Sequence, residues 1–311
     1  MGVDETWLAA PLAFAAEFPD ALIAIAGPTA SGKSELAMEL CARLDGEIVS
    51  ADSVQIYRGF DIGSGKPTSE EQAQVRHHLI DVLDPLDAVD AAQFAAMADG
   101  AIRDARSRKK RPIVCGGTFL WQKSLLFGLS AAPPANAEIR ERHRHEAERS
   151  GRTALHDRLR AVDPISATRL HPNDLVRVSR ALEVYELSGI PLSTGHAEHA
   201  LAAPRYDARV FAVGRTPEDL TTRIEERVRI WLESGWIEET KALLDRGCGA
   251  ARAMGSVGYR EIRAYLGGAL PREELGPTIV RATRVFARRQ RTWLRSAEVT
   301  WLGLQSAESD R

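Results

Sequence analysis

The sequence predicts an α/β protein with a parallel sheet at its centre and an all-helical insertion in the middle of the chain. Short apolar segments typical of buried strands alternate with amphipathic segments in residues 21–130, and the alternation returns in residues 205–311. Residues 131–204 instead carry charged amphipathic segments without a strand pattern, which predicts helices only. A lead-in of residues 1–20, predicted to be mobile or helical, precedes this core.

Composition indicates an ordinary globular protein and excludes several other classes. Hydrophobic residues make up 44% and charged residues 27% of the 311 residues, which allows a full core. No run approaches the roughly 18 apolar residues that a membrane-spanning helix needs, and Asp4 and Glu5 do not fit a secretory signal. The formal net charge of −2 does not indicate nucleic-acid binding, which local clusters of basic residues could still indicate. The widely spaced Cys41, Cys115 and Cys248 fit buried thiols in a reducing compartment. We expect a cytoplasmic monomer without a membrane partner.

The elements of the core can be placed in order along the chain. Residues 22–26 are apolar on both faces, as in a strand buried inside a parallel sheet. A helix follows with Leu36, Leu40 and Leu44 on one stripe, and Gly46 is predicted to end it. Further strands are predicted at residues 47–51, 112–115, 210–213 and 299–302. Further helices are predicted at residues 91–106 and 277–294, and between the cap Thr216 and the stop Gly235.

A phosphate-binding motif follows the first strand. Residues 27–34 read GPTASGKS and match the P-loop pattern in full, so the core is predicted to be P-loop NTPase-like. The two glycines permit a backbone whose amides point at phosphate oxygens, and the next helix adds the positive end of its dipole. Lys33 supplies a mobile cation, and the Ser34 hydroxyl is a candidate Mg²⁺ ligand. The residues expected to bind a phosphate or diphosphate are Gly27, Pro28, Thr29, Ala30, Ser31, Gly32, Lys33 and Ser34.

A typical P-loop nucleoside triphosphatase adds a second carboxylate for Mg²⁺ at a strand end. Here the strand at residues 112–115 runs into Gly116-Gly117-Thr118 instead, which argues against an ATP- or GTP-driven switch. Asp52 is the one acid placed near the phosphate loop, because parallel strands end at the same edge of a sheet. Asp52 is a catalytic base on one reading and a helix cap or outer Mg²⁺ partner on the other. For Thr118 a role in the site and a capping role are equally open.

A one-sided stripe of arginines is predicted on the last helix. Residues 279–295 carry six arginines and no acid. The arginines with helical spacing are Arg281, Arg284, Arg288, Arg291 and Arg295, and the apolar residues of another side are Ile279, Ala282, Phe286 and Trp293. Such a stripe fits a phosphate backbone or a diphosphate, with a solvated surface as the alternative. The residues expected at surface or capping positions are His77, His78, His143, His145 and His156.

Seven blocks along the chain together resemble the tRNA isopentenyltransferase family, whose members are also called tRNA dimethylallyltransferases. The resemblance extends from Ile23 to Leu302, and the ordered blocks are far more specific than the phosphate motif alone. The blocks are GPTASGKS (27–34), SADSVQIYRGFDIGSGKP (50–67), HHLID (77–81), GGTFLWQKSLLFGL (116–129), HPNDLVRVSRALEV (171–184), GYREI (258–262) and ATRVFARRQRTWLR (282–295).

The resemblance implies a transferase that moves a dimethylallyl group from dimethylallyl diphosphate to the exocyclic amine of adenosine 37 in tRNA. By motif match, Asp52 is the general base on that amine and Thr118 contacts the substrate near the reaction centre. Arg223 joins the phosphate loop in holding the diphosphate, and the helical insertion grips the anticodon stem-loop. The residues implied to contact tRNA are Asp52, Ser53, Val54, Gln55, Thr118, Arg140, Val176, Arg177, Val178, Ser179, Arg180, Gly255, Ser256, Val257, Gly258, Tyr259 and Arg260.

The chain departs from the family pattern at a few positions. Ser64 and Gly65 stand where the family usually has Thr and Ala. Phe119 and Trp121 replace the usual Gly and Tyr, and we expect these larger aromatics to narrow or reshape the prenyl pocket. The lead-in is also longer than is usual. Two other functions stay open: a kinase of a small metabolite or nucleotide, and a non-catalytic P-loop protein that binds RNA.

Overall fold

The structure, a computed structural model, describes residues 4–130, 132–200 and 203–303. It divides into two compact units, each described by itself below. The core unit contains Met1–Phe127 and Arg205–Arg311, and the insertion unit contains Gly128–Pro204. The predicted first residue of the insertion, Ala131, lies outside the described residues.

The core unit contains a parallel sheet, which confirms the predicted fold class. The strands within the described residues are β1 (Leu22–Ala26), β2 (Gly46–Ser50), β3 (His77–His78), β4 (Arg111–Gly116), β5 (Ala208–Val213) and β6 (Thr300–Leu302). They pair in the order β3-β2-β4-β1-β5-β6, and every pairing is parallel. Strand β1 is central and carries the phosphate loop at its carboxyl end. The sequence did not predict β3, because two residues are too few to form a pattern.

Helices cover the sheet and follow most of the predicted segments. Those of the core unit are α1 (Thr6–Glu17), α2 (Lys33–Leu44), α3 (Ser69–Gln74), α4 (Ala91–Ser107), α5 (Phe119–Phe127), α11 (Pro217–Glu233), α12 (Trp236–Asp245), α13 (Tyr259–Leu266) and α14 (Arg272–Arg295). Those of the insertion unit are α6 (Ala137–Ser150), α7 (Arg152–Val162), α8 (Pro164–Arg169), α9 (Leu175–Ser188) and α10 (Leu192–Ala200). The lead-in, left open between mobile and helical, contains helix α1.

Two helix ends differ from the prediction. Helix α2 ends at Leu44 and is capped by Asp45 in the left-handed region (φ 50°), whereas Gly46 already belongs to β2. Helix α14 begins at Arg272, so Pro277 lies inside it and does not start it. Burial of Leu275 on the core side helps to hold this additional first turn in place.

Alternate residues of the central strand face two different parts of the core. Leu22 and Ala24 pack in the cluster that contains Phe94 and Trp121, and Ile23 packs in the cluster that contains α1 and α2. Because successive side chains of a strand point to opposite faces, helices must cover both sides of the sheet. Both faces of β1, the strand from which the phosphate loop extends, are therefore buried.

The insertion unit has its own core and one buried carboxylate. Glu183 on α9 is fully buried and accepts hydrogen bonds from the Asn136 amide, from Arg140 and from Arg180. Burial alone raises the pKa of Glu183, but these hydrogen bonds outweigh it and hold the pKa below the ordinary value. The charged cluster therefore ties the start of α6 to α9.

The chain leaves and re-enters the core unit at neighbouring points. The Arg205 amide donates to the Leu126 carbonyl at 2.8 Å, and the Arg205 guanidinium donates to the Leu125 carbonyl at 3.0 Å and to Asp99 at 2.6 Å. These bonds connect the end of α5 to the segment that leads into β5. None of the described helices combines the length and the hydrophobicity needed to cross a bilayer.

Candidate active site

The phosphate loop joins β1 to α2 at the carboxyl edge of the sheet. Gly32 has φ 98°, which an L side chain resists, and Ala30 also lies in the left-handed region at φ 65°. The Gly32 carbonyl accepts from the Leu36 amide, so the helix begins directly at Lys33. The predicted motif has the backbone shape of a phosphate-binding loop in front of a helix N-terminus.

Three arginines surround this loop, of which sequence reasoning identified one. Arg223 Nε donates to the Ala30 carbonyl at 2.7 Å, and Arg215 Nε donates to the Ser31 carbonyl at 2.6 Å. Arg227, one turn beyond Arg223 on α11, lies 3.4 Å from the Thr29 hydroxyl. The spacing of four residues between Arg223 and Arg227 was visible in the sequence. Arg215 lies outside the helix, so no helical pattern indicated it.

Cationic groups dominate the loop electrostatically. Burial and, to a smaller extent, the Arg227 guanidinium lower the pKa of Lys33, while Asp52 and Glu35 act in the opposite direction. Burial together with Arg223 lowers the pKa of Arg227 as well. A bound diphosphate would favour the charged form of each group, so the site is suited to a multiply charged anion.

The loops that carry Asp52 and Thr118 meet at the ends of β2 and β4. Asp52 Oδ1 accepts from the Val54 amide at 2.9 Å and the Gln55 amide at 3.3 Å. These bonds close a turn, and no helix starts there, so the helix-cap alternative for Asp52 is wrong. The Thr118 hydroxyl accepts from the Ser53 amide at 3.0 Å, and the Thr118 amide donates to the Ala51 carbonyl. The two loops are therefore fastened together.

The close approach of these loops explains a glycine in the Gly-Gly-Thr turn. A Cβ on Gly116 would lie 2.1 Å from the Ala51 carbonyl oxygen, which no side chain could accommodate. Any larger residue at this position would push the Thr118 loop away from the Asp52 loop.

Gln290 is a residue of the site that sequence reasoning missed. Its side chain, only 6% exposed, accepts from the Thr29 amide at 2.8 Å and donates to the Gly117 carbonyl at 3.0 Å. One amide group on α14 thereby connects the phosphate loop to the turn that carries Thr118. The sequence placed Gln290 among arginines, and no local pattern distinguishes a bridging glutamine from a solvated one.

A pocket of about 210 Å³ opens beside Ser53. Its lining includes Val54, Trp121, Arg252 and Ser256, and Tyr57 lies at its inner wall. Tyr57 is fully buried, and its hydroxyl finds no acceptor within the described part of the chain, while the Val89 backbone acts on it as a hydrogen-bond donor. A buried donor of this kind is costly unless a ligand satisfies it.

The aromatic departures from the family pattern lie on two sides of this site. Trp121 stacks on Phe94 with 4.4 Å between ring centroids and lines the pocket beside Ser53. Phe119 stacks on Trp293 at 5.4 Å and lines a different, larger pocket of about 400 Å³. Gly65 leaves room for Trp231, because a Cβ there would lie 2.9 Å from that ring.

Several residues expected at an RNA surface are turned inward. Tyr259 is fully buried and donates its hydroxyl to Glu239, and Gly258 packs against Trp236. Val178 and Ser179 lie in the core of the insertion unit. In this conformation these four residues are buried, and the tRNA contacts predicted for them stay predictions.

Other expected RNA contacts remain at the surface or are held by protein partners. Val176 is 79% exposed, and the Arg177 side chain is 70% exposed. Arg140 and Arg180 are bound to Glu183 in the insertion unit. The side chain of Gln55 donates to the Ser64 and Gly65 carbonyls. The remaining expected contacts at or partly at the surface are Ser53, Val54, Gly255, Ser256, Val257 and Arg260.

The arginine stripe of α14 and the histidines are corrected in part. Arg281, Arg284, Arg288 and Arg295 are exposed as expected, but Phe286 is 42% exposed and does not belong to the buried stripe. The buried residues of that helix are Leu275, Ile279, Ala287, Gln290 and Leu294. His143 and His156 are buried, and His77 and His78 lie in β3, so His145 alone of the five fits a surface position. The three cysteines are free and buried, as predicted.

The residues beside the phosphate loop would suit a Mg²⁺ ion that is held mainly by a diphosphate and water. Ser34 is exposed at the first turn of α2, beside the phosphate loop. No cluster of three His, Cys, Asp or Glu side chains that could cage an ion occurs among the described residues. Mg²⁺ is commonly held by few protein ligands together with substrate phosphates, so these residues fit it.

A parallel sheet with a complete phosphate loop, two fastened loops at its carboxyl edge and a one-sided arginine helix define a P-loop protein that handles a phosphorylated substrate. The chain belongs to the IPP transferase family, whose family model matches residues 55–297. It is 60% identical over 286 residues to the tRNA dimethylallyltransferase of Sorangium cellulosum (strain So ce56), covering 92% of this chain and 91% of that protein.

Solved structures show the same similarity. The full-length tRNA isopentenylpyrophosphate transferase of Bacillus halodurans is 36% identical, with a TM-score of 0.67 over 91% of this chain and 89% of that one. A eukaryotic dimethylallyltransferase, captured in crystallographic snapshots acting on tRNA, is 26% identical, with a TM-score of 0.73 over 90% of this chain and 73% of that one.

Proposed function

We propose that this protein transfers a dimethylallyl group from dimethylallyl diphosphate to the exocyclic amine of adenosine 37 in tRNA and releases diphosphate. The observation that best supports this proposal is a hydrogen bond from the Ser53 amide to the Thr118 hydroxyl. This bond joins the loop of Asp52 to the turn beside the phosphate loop. A site for a leaving diphosphate and a carboxylate are thereby held at one edge of the sheet. Family membership and the names of the relatives support this assignment.

The diphosphate end of the donor is assigned to the phosphate loop. The amides of the loop, Lys33 and the N-terminus of α2 neutralise the charge that develops as the diphosphate leaves. Arg223 and Arg227 add positive charge from α11. Mg²⁺, held through Ser34 and the diphosphate itself, would supply further charge neutralisation. No phosphoanhydride bond is cleaved, so a second strand-end carboxylate is not needed.

The acceptor amine is assigned to the Asp52 side of the site. As the bond from N6 of adenine to the allylic carbon forms, the bond from that carbon to the diphosphate oxygen breaks, and diphosphate keeps the electron pair. The surplus proton on N6 passes to the Asp52 carboxylate. The Val54 and Gln55 amides donate to Oδ1 of Asp52, which fixes the carboxylate and leaves Oδ2 as the oxygen assigned to accept the proton.

We assign the pocket beside Ser53 to the adenine base. A base inside a stacked anticodon loop cannot meet the donor, so it must be extruded into a pocket. The Tyr57 hydroxyl, which has no acceptor among the described residues, would donate to a ring nitrogen of the base, and the Trp121 ring in the wall offers an apolar surface. The exposed arginines of α14 and Arg177 of the insertion unit are assigned to the tRNA backbone.

Incubation with unmodified tRNA and labelled dimethylallyl diphosphate tests the proposal. We expect label on tRNA without ATP, a mass shift at adenosine 37 in digested tRNA, and loss of transfer after chelation of Mg²⁺. Lys33→Ala should raise the KM for the donor with little effect on tRNA affinity. Phosphoryl transfer from ATP to a small acceptor would instead indicate a kinase, and tRNA retention without chemistry a binding protein.

A further inference from the structure

The N-terminal helix α1 is packed into the core unit beside the phosphate loop. Trp7 and Phe14 on α1 are 7% and 5% exposed, and both pack in the cluster that contains Ile23 and Ile25 of β1. The lead-in, for which the sequence indicated no role, is therefore a structural part of the sheet's cover. Trp7, in its first turn, lies beside Gly32 at the end of the loop where α2 begins.

Trp7 lies next to the loop. A Cβ built on Gly32 would lie 3.5 Å from Cζ3 of Trp7, so the space between the indole and this glycine would hold little more than one methyl group. The Arg215 guanidinium carbon lies 4.9 Å from the centroid of the same ring, within the range of a cation–π interaction. The indole thus lies beside the loop and in contact with one of the arginines that hold it.

Arg215 connects the Trp7 indole to the backbone of the loop. Its Nε donates to the Ser31 carbonyl at 2.6 Å, and its Nη1 is paired with Asp219 at 2.6 Å. A trans peptide group is planar, so a fixed Ser31 carbonyl also fixes the Gly32 N–H, which points the opposite way. That N–H belongs to the amides that a phosphate loop directs at its ligand.

We propose that Trp7 is a positioning residue for the diphosphate loop, and that it acts through Arg215 on the Ser31–Gly32 peptide group. The indole holds the guanidinium in one plane, and the guanidinium holds the peptide in the orientation that binds diphosphate. This inference rests on the proposed function in one respect only: the ligand of the loop is an allylic diphosphate. Helix α1 then sets the affinity for the donor and leaves the affinity for tRNA unaffected.

The test compares full-length variants that differ in contact with the loop. Trp7→Leu removes the aromatic face beneath Arg215, and Arg215→Lys keeps the charge but removes the planar Nε donor. We expect each to raise the KM for dimethylallyl diphosphate and the Kd for inorganic pyrophosphate, measured calorimetrically, roughly threefold to tenfold. The KM for tRNA should stay unchanged. Trp7→Phe keeps an aromatic face and should restore most of the affinity.

Phe14→Leu is the matched control on the same helix. Phe14 is buried like Trp7, and the guanidinium carbon of Arg209 lies 4.7 Å from the centroid of its ring. Among the described residues, Phe14 makes no contact with the phosphate loop. This variant should lose thermal stability much as Trp7→Leu does, with pyrophosphate affinity unchanged. Equal changes in pyrophosphate affinity for the two variants, or none for Trp7→Leu, would overturn the inference.

Different results would disprove the positioning role of Trp7 and the proposed reaction. If the wild-type protein prenylates tRNA but Trp7→Leu binds pyrophosphate normally, the positioning role of Trp7 is wrong and the proposed function stands. If the wild-type protein binds pyrophosphate in a Trp7-dependent way but does not prenylate tRNA, the loop assignment holds and the proposed reaction is wrong.

Discussion

At the scale of single residues, Asp52 holds its own loop together and is also the base that we propose for the acceptor amine. Its Oδ1 accepts from two backbone amides, and its position at the end of β2 places it beside the turn of Thr118. A substitution that tests the proposed base must keep the hydrogen bonds from the two amides and remove only the proton acceptor. Asparagine keeps an oxygen for the two amides and loses only the ability to take a proton at neutral pH.

Asp52→Asn should therefore lower kcat by roughly 10²-fold to 10⁴-fold, the usual contribution of a general base. The affinity for tRNA and the melting temperature should stay near the wild-type values, because the loop keeps its hydrogen bonds. Single-turnover transfer of labelled dimethylallyl groups and filter binding of tRNA measure the two quantities. Turnover at the wild-type rate would remove Asp52 from the mechanism.

Tyr57→Phe separates binding from folding at a second residue. Loss of a buried hydroxyl without an acceptor should leave stability unchanged or raise it by up to about 1 kcal/mol. Loss of a donor to the adenine ring should lower kcat/KM for tRNA roughly threefold to tenfold. Steady-state kinetics and thermal denaturation measure these effects.

Tyr206→Phe is the comparison for Tyr57→Phe. The Tyr206 hydroxyl donates to Asp99 at 2.7 Å, and Tyr206 does not line the pocket beside Ser53. This variant should lose stability and keep kcat/KM. If Tyr57→Phe is instead the variant that loses stability, its hydroxyl has an acceptor in the protein and the assignment of the adenine pocket loses its support.

At the scale of elements, helix α14 contributes both an exposed cationic face and an internal bridge. Gln290 lies on the buried side and fastens Thr29 to Gly117, whereas Arg288 of the exposed side faces solvent. The helix therefore connects the surface assigned to tRNA with the two loops assigned to the reaction. This arrangement makes the geometry of the donor site depend on a helix far away in sequence.

Gln290→Glu should disturb this bridge without changing its size. The carboxylate still accepts from the Thr29 amide, but it meets the Gly117 carbonyl with an oxygen in place of a donor. We expect a loss of about 1–3 kcal/mol in stability and a roughly tenfold fall in kcat, because the two loops separate. Urea denaturation and initial rates measure both.

Ser124→Ala serves as the stability control for Gln290→Glu. Ser124 is likewise buried, and its hydroxyl donates to the Ala91 carbonyl at 2.7 Å, which joins α5 to α4 and not the two loops of the site. A comparable loss of stability with kcat preserved is expected. Equal losses of kcat would mean that Gln290 acts only through general stability.

The sequence was informative about these elements wherever a contact is local. The strand Leu22–Ala26, the cap Thr216 and the phosphate loop each depend on residues that are close in the chain. Arg215 and Gln290 could not be found in this way, because their partners are 184 and 261 residues distant. The exposure of Phe286 was missed because apolar character alone does not determine which helix face is buried.

At the scale of the whole molecule, the formal net charge of −2 hides a segregated distribution of arginines. In the insertion unit most arginines are paired, as Arg144 is with Glu141 and Glu148. Arg177 is more exposed, and among the described residues its side chain has a single ion pair, with Asp174 at 3.2 Å. An arginine that is already paired with a carboxylate attracts a phosphate only weakly. We therefore expect the arginines of the insertion unit to contribute unequally to tRNA binding.

Arg177→Ala should weaken tRNA binding about equally for all tRNA sequences. The slope of log affinity against log salt should fall by about one unit, since one phosphate contact is lost. Binding measured from low to moderate salt gives this slope. Arg144→Ala, which removes an arginine already neutralised by two glutamates, should leave the slope unchanged; an unchanged slope for Arg177→Ala as well would exclude the contact.

The bonds between Arg205 and the end of α5 carry a consequence for how such a protein can change over time. Because the chain closes on itself where it departs from the sheet and returns to it, the sheet does not depend on what is threaded between those two points. We therefore expect that residues 128–204 can change in length and charge between relatives while the strand pairing of the core unit is kept. Under the proposed assignment of that unit to tRNA, the choice of tRNA could then change without a change in the reaction.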